Sequence, residues 1–550
     1  MKKRLRANAL SMVFLLISAG LIWFLADHLT ARRQAPPTVI LIPLDSRPVN
    51  TDLPQLLAGI AGIPVTLPKR ESLDQFLTPA KSAQLFTWLE EQNESGCDIT
   101  IIHINELLFG GLLNSRDSAQ YLDASQKLQS MFDYLLRRNR NPSNRLILVY
   151  IMPRLLPSQY DEVMWAYETE LPELSQLRHR LSLNPGDAGL AAQIRGLEAK
   201  IPREIRTRYE SVYTEAFNAG LSMLDWLSQG LVDEVVIGLD DSAEYGLNVK
   251  AFNDLKAEAD RREQKYAYFL HGADELSPLI IARHGLDYAA GGDNFTLRYL
   301  TEGQEQTILP YEALPLIDNF GEKAAYLQDE KPGRKAGAAP ALPVRPKYIY
   351  VFTDREASPE QMRAAWDAIR TDQERPRRSL IGLTDAAKVN GAWAPFIESV
   401  GPVEVYDYVD AYAGWNTAGN SLGTVMAHLM FWEAAQSFPV REKRDAALRH
   451  ENLQKLRIVD DYFYQSKVRQ DLIAWTVREG FPYLSFGGRW MEADDMLREM
   501  MQAALAPLPK MKPGILPSLG GGEAEWQFKF PWPRSFEILA TIQEKDMADR

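Results

Sequence analysis

The stretch EVVIGLDDSAEYG, residues 234–246, runs a short apolar segment straight into two adjacent carboxylates, Asp240 and Asp241. Neighbouring aspartates repel, and the repulsion raises the pKa of one of them, which is the property a general acid needs. Two other uses compete. Asp240 can face a structural arginine while Asp241 caps the following loop, or the pair can ligate a metal.

The pair has company. PLDSRPVN holds Asp45, Arg47 and Asn50, and HINELLFGGLLNSR holds His103, Asn105 and Arg116. Arg154 follows a further apolar run, and HGADE supplies His271, Asp274 and Glu275. Asp354 and Asp385 end two more runs, and DAYAGWNTAGNSLG carries Tyr412, Trp415, Asn416, Thr417 and Asn420. Singly, each has a structural use: Asp caps a helix, Asn or Gly sets a turn, and Arg47 can pair with Asp45. Their recurrence after nearly every apolar run describes a polar rim with one aromatic face. That suits a carbohydrate, bound through its hydroxyls with Trp415 against the ring; core packing is the competing use of Trp415.

The elements that must carry this rim read as strands at Val39–Leu44, Pro64–Leu67, Asp98–Ile104, Leu146–Met152, Glu234–Leu239, Tyr266–Leu270, Tyr348–Phe352, Leu380–Leu383 and Val403–Tyr408. Most are apolar on both faces, as buried parallel strands are. Helical patterns such as Ala80–Gln92, Ser118–Arg138 and Asn248–Gln264 lie between them. The alternation predicts an α/β fold with right-handed crossovers and ligands at the carboxyl ends of the strands. A (β/α)8-type barrel is expected, with one candidate as an edge strand; a doubly wound open parallel sheet is the alternative. Residues 158–230 read as a helical insertion, 330–347 as a linker-like loop, and 422–550 as a mostly helical C-terminal part after an α/β body over 37–421.

Composition narrows the partners. The chain of 550 residues has a formal net charge of −12 and no basic face of the kind nucleic acid requires. Residues 1–36 read as a signal anchor or signal peptide plus linker. Lys2, Lys3, Arg4 and Arg6 precede the apolar run Ala9–Ala26, which as a helix would span ~27 Å. That order of charges places the body outside the cytoplasm, membrane-anchored, or secreted if the segment is removed. The lone cysteine, Cys97, cannot form an intramolecular disulfide. No phosphate loop, dinucleotide fingerprint or nucleophile elbow occurs, and the seven histidines show no compact ligand spacing. No cofactor or metal is expected. A metal-dependent hydrolase using Asp45, His103, Asp240, His271 and Asp274 stays open as an alternative, as does a non-catalytic glycan-binding envelope protein.

Five ordered motifs carry a resemblance: Pro43–Asn50, the Gly110–Arg116 loop, Asp240–Asp241, Gly272–Glu275 and Tyr412–Asn420, followed by Asp460–Arg469 and Pro531–Glu537. On these residues the chain resembles the bacterial domain-of-unknown-function family 4127 over roughly 38–540. IIHIN at the end of the third strand candidate departs from its pattern, which puts a direct role for His103 in doubt. The resemblance implies glycoside hydrolysis of N-acetylhexosaminides. Ordinary glycosidases hold two carboxylates about 5–10 Å apart on opposite sides of the sugar, a geometry sequence neighbours rarely meet. In substrate assistance the acetamido oxygen of the sugar attacks the anomeric carbon instead. One carboxylate then orients the acetamido group, here Asp240, and its neighbour Asp241 acts as general acid/base. Asp45, Arg47, Asn50, His103, Asn105, Arg116, Arg154, Asp274, Glu275, Trp415, Asn416 and Asn420 are the expected substrate contacts.

Overall fold

The computed structural model describes residues 36–544 except 95, 139–143, 287–293, 330, 332–344, 373–374, 377 and 508–523. The apolar segment at the N-terminus and most of the linker-like stretch lie outside the described residues. Among the described residues no helix is long and apolar enough to cross a membrane.

The chain folds as an α/β protein. Six parallel strands form one sheet in the order β2-β1-β3-β4-β5-β6: β1 is Val39–Ile42, β2 Val65–Thr66, β3 Ile99–His103, β4 Arg145–Met152, β5 Glu234–Leu239 and β6 Ala267–His271. Four more form a second parallel sheet in the order β10-β9-β8-β7, with β7 Phe295–Tyr299, β8 Lys347–Phe352, β9 Leu380–Asp385 and β10 Ala411–Ala413. β11 (Ala524–Lys529) and β12 (Leu539–Glu544) pair as an antiparallel hairpin. Among the described residues the parallel strands thus lie in two sheets and not in the single ring of eight that a (β/α)8 barrel needs.

The physical reason is visible in the core. A small barrel fills its interior with its own strand side chains. Here Leu41, Ile101, Val149 and Val236 of the first sheet and Ile349, Val351, Ala411 and Ala413 of the second share one core with helices, among them Ala418–Ala435. That helix is apolar around its whole circumference and is buried along nearly all its length, as a helix between two sheets must be. It spans position 422, where the composition turns helical. The alternate side chains of the first sheet, Ile40, Ile102, Leu148 and Ile237, pack on an outer helix layer that includes Arg203–Ser228 and Leu247–Arg261. Tyr350, Phe352, Leu383 and Tyr412 of the second sheet do the same on its far side.

Three local differences from the sequence reading have simple causes. Val403–Tyr408 is β-branched and aromatic but forms the helix Pro402–Tyr408, because Gly401 sits at φ 102° and Pro402 opens a helix well. β7 went unread because its FTLRY pattern is half-buried and mixed. The β11–β12 hairpin stands in a part expected to be mostly helical. Between β4 and β5 lie the helices Glu162–Trp165, Glu170–Leu183, Ala188–Glu198 and Arg203–Ser228, with a small core of their own around Leu171, Leu174, Leu197 and Tyr209.

One glycine ties the fold to the acid pair. A Cβ on Gly238 in β5 would stand 2.5 Å from Ile151 Cδ1 and 2.7 Å from the Gly272 carbonyl oxygen. The second atom is backbone and cannot rotate away. Gly238→Ala is therefore expected to destabilise by about 1–3 kcal/mol, as overpacked cores do. Chemical denaturation checks this; an unchanged midpoint would mean that β5 and the Gly272 turn are not held this close.

Candidate active site

Three helices of the central layer, Asp52–Ile60, Leu276–Gly285 and Ala418–Ala435, pack on one another. They follow β1, β6 and β10, so their N-termini gather at the carboxyl ends of both sheets. The residues just ahead of them therefore meet, although they are far apart in sequence. The positive ends of three helix dipoles also converge there, which favours carboxylates.

Arg47 is the hub of this cluster. Its Nε donates to Asp45 Oδ2 at 2.8 Å and its Nη2 to Asp274 Oδ1 at 2.6 Å. Asn50 Nδ2 donates to both carboxylates, at 2.8 and 2.9 Å, and Asn416 Nδ2 donates to Asp274 at 3.0 Å. Asn420 Oδ1 accepts from the Asp274 backbone N–H at 3.2 Å. Asn416 holds φ 52°, a left-handed conformation that asparagine tolerates, and this turns its amide toward Asp274. Burial opposes the charge of Arg47, but Asp274 and Asp45 outweigh it and raise its pKa further. Burial raises the pKa of Asp274 despite Arg47.

The acid pair follows β5 beside this cluster. Arg116, from the loop after β3, donates to Asp240 Oδ2 at 2.5 Å, and Arg154, from the loop after β4, stands with Nη1 4.0 Å from Asp241 Oδ2. The two neighbours differ in exposure, 9% for the Asp240 side chain and 21% for Asp241. They differ more in acidity. Burial works against the ionised form of Asp240, but Arg116, a backbone hydrogen bond and Arg154 together hold its pKa below the usual carboxylate value. Burial, and next the charge of Asp240, push Asp241 up to about 7 against Arg154 and Arg116. At neutral pH the pair thus holds one firm anion and one group poised between acid and base.

Eight of the twelve expected contact residues surround this place: Asp45, Arg47, Asn50, Arg116, Arg154, Asp274, Asn416 and Asn420. Four do not reach it. His103 is fully buried, bonded through Nε2 to Ser277 Oγ at 2.8 Å, and burial lowers its pKa to about 3. Asn105 bonds Ser115 Oγ and both the carbonyl and the N–H of Ile151, tying β4 to the loop. Glu275 is fully buried in an ion pair with Lys323 at 3.1 Å. Trp415 is 7% exposed, bonded to Thr424 and covered by Arg457, so it packs in the core and offers no ring face to a sugar. Asparagine, histidine and tryptophan look the same in sequence whether they face a ligand or complete a core.

The sequence reading missed several groups around the cluster. Trp532 donates from Nε1 to Ser46 Oγ at 2.9 Å and lies 5.7 Å from the Arg47 guanidinium, while Arg534 pairs with Glu537 at 2.8 Å. Both belong to PWPRSFE, the C-terminal motif whose place could not be read from sequence. Asp74 and Glu106 are fully buried beneath Ser46, and burial raises both pKa values well above normal. Asp461 lies in a π-helical segment, Val459–Val468, and accepts from the Gly414 N–H. Burial pushes Asp461 and Asp385 each up to about 7.

Of the five residues considered for a metal, the two histidines are engaged elsewhere: His271 pairs with Glu322 at 2.8 Å and His103 with Ser277. Among the described residues no group of three or more His, Cys, Asp or Glu is placed to hold an ion.

A family model described as "Protein of unknown function (DUF4127)" matches residues 39–541, nearly the whole chain. No curated protein and no solved structure matches.

Proposed function

We propose that this chain, which belongs to the DUF4127 family, is an exported glycoside hydrolase that cleaves β-linked N-acetylhexosaminides with retention, using the acetamido group of the substrate. The observation that carries this reading is the division within the acid pair: Arg116 keeps Asp240 anionic while Asp241 rises to about 7. Substrate assistance needs those two states side by side. Asp240 accepts the acetamido N–H and polarises the amide. The amide oxygen attacks the anomeric carbon as the glycosidic oxygen leaves with the proton of Asp241. Asp241, now a carboxylate, takes a proton from water, which opens the cyclic intermediate and restores the acid. Arg116, Arg154 and Asn416, which are partly exposed, line the sugar subsite, the buried cluster of Asp45, Arg47, Asn50 and Asp274 holds Asn416 in place, and the apolar N-terminal run anchors the enzyme facing outward.

The test is a screen of the full-length chain on aryl N-acetyl-β-galactosaminides and -glucosaminides beside their 2-hydroxy counterparts. Release of the aryl alcohol from at least one acetamido sugar is expected, undiminished by EDTA, with the 2-hydroxy sugars inert. Cleavage of 2-hydroxy sugars at equal rates would exclude substrate assistance, and cleavage of neither class would remove the hydrolase reading.

A further inference from the structure

The cations around the acid pair are unequally matched. Arg47 has Asp45 and Asp274, Arg116 has Asp240, and Arg534 has Glu537. Arg154 has no carboxylate within hydrogen-bond distance: Asp241 stands at 4.0 Å, and Asp240, which is bonded to Arg116, attracts it from farther off. The side chain is nevertheless fixed. Its Nε donates to the Leu156 carbonyl at 3.1 Å and its Nη2 to the Pro157 carbonyl at 2.9 Å, while Tyr213 donates to its own carbonyl oxygen at 3.0 Å. Two of the three guanidinium nitrogens are thus spent on the backbone, and Nη1 is the one turned to the acid pair. Arg154 is 15% exposed, so it forms part of a wall that solvent and ligand can touch. Arg116 adds a second positive charge beside it: its side chain is 10% exposed and its Nη2 is spent on Asp240. The two guanidiniums repel one another.

When Asp241 carries its proton, one anion, Asp240, remains for the two guanidiniums Arg116 and Arg154. A largely buried cation in that position is costly unless an anion arrives with the ligand. A neutral amino sugar supplies none. We propose that the sugar bound at Asp240–Asp241 carries an anionic substituent, a sulfate ester or a carboxylate, and that Arg154 Nη1 receives it. This rests on the reading of Asp241 as the general acid. It adds a substrate class: acidic amino sugars or uronate-bearing glycans, of the kind found in anionic polysaccharides.

The experiment is direct binding by titration calorimetry to the full-length chain at pH 6. The probes are N-acetylgalactosamine and N-acetylglucosamine, the 6-sulfate of each, N-acetylgalactosamine 4-sulfate, and N-acetylglucosaminuronate, the 6-carboxylate of N-acetylglucosamine. At least one anionic probe is expected to bind about tenfold tighter than its neutral parent, the gain of a charge-assisted hydrogen bond. The sulfated and uronate arms identify which anion is read. In Arg154→Gln that advantage is expected to vanish. Arg154→Lys, which keeps the charge but not the fork, is expected to retain part of it. Equal affinities for neutral and anionic sugars in the native protein, including no binding of either, would overturn the proposal, as would an anionic advantage that survives Arg154→Gln. Failure of the parent reading is distinguishable: anion-dependent binding without cleavage of any glycoside removes the hydrolase, whereas cleavage of neutral glycosides without anionic preference removes only this inference.

Discussion

Asp240→Asn and Asp241→Asn are each expected to lower kcat on an aryl N-acetylhexosaminide by about 10²–10⁴-fold, with different signatures. Asp241→Asn removes the proton donor. Substrates with acidic leaving groups such as dinitrophenol should lose far less, because they depart without protonation. Asp240→Asn removes the anion that orients the acetamido group, so all acetamido substrates should suffer alike. The pH profile follows from the two acidities. Asp241 must be protonated to donate, so native kcat falls as pH rises through about 7. Asp240 must be ionised, so the acid limb lies below its lowered pKa and only at low pH. Stability supplies a readout that a structural role would not give. The folded-state pKa of Asp241, about 7, stands above its ordinary value of 3.8, so its ionisation costs stability progressively as pH rises from about 4 to about 7, and the cost is complete above that. Asp241→Asn should therefore raise the thermal midpoint at pH 8, raise it by about half as much at pH 5.5 and leave it nearly unchanged at pH 4, while being inactive throughout. A variant that loses stability at pH 8 would show that Asp241 is a structural cap.

How much of this was legible in the sequence depends on whether the cause was local. The carboxylates after β5 could be found because an apolar strand running into two acids is a pattern within a few residues. The buried strands were legible for the same reason: Val39–Ile42, Arg145–Met152 and Glu234–Leu239 are apolar on both faces because both faces meet helices. The two-sheet arrangement was not legible, since strand–helix alternation is common to barrels and open sheets. What separates them is the helix Ala418–Ala435 lying between sheets, and a helix apolar all round says only that something covers it. The same limit applies at the site. That Arg47 holds Asp274, 227 residues away, is a fact of three helix N-termini converging, which no spacing in the chain encodes. Asn105 and Asn416 illustrate the ambiguity. Both follow apolar runs, but one is bonded to a neighbouring strand and the other reaches the cluster.

Removing the hub of that cluster should be the most destabilising single change at the site. Arg47 is 5% exposed, and Asp45 and Asp274 are nearly inaccessible, at 0% and 2%. Arg47→Met keeps most of the volume and leaves two buried carboxylates facing each other across the space its guanidinium filled. Asn50 and Asn416 still donate to them, but neither brings a positive charge. Breaking a buried ion pair from one side costs about 3–5 kcal/mol, most of it for the stranded charge. Here one cation serves two anions, so the upper part of that range is expected. The dependence on pH separates this cause from lost packing. Without Arg47 the pKa of Asp274, which burial already raises, would stand still further above its unfolded value, so the folded variant binds more protons than the unfolded one. Its stability must then rise as pH falls toward about 5, while a cavity would cost the same at every pH. Urea denaturation of the native protein and Arg47→Met at pH 8, 6.5 and 5 reads this directly. A deficit that narrows on acidification assigns the cost to Asp45 and Asp274. A constant deficit would mean that Arg47 acts through its contacts with Trp532 and the chain around it, and that the carboxylates find their compensation in the three helix N-termini.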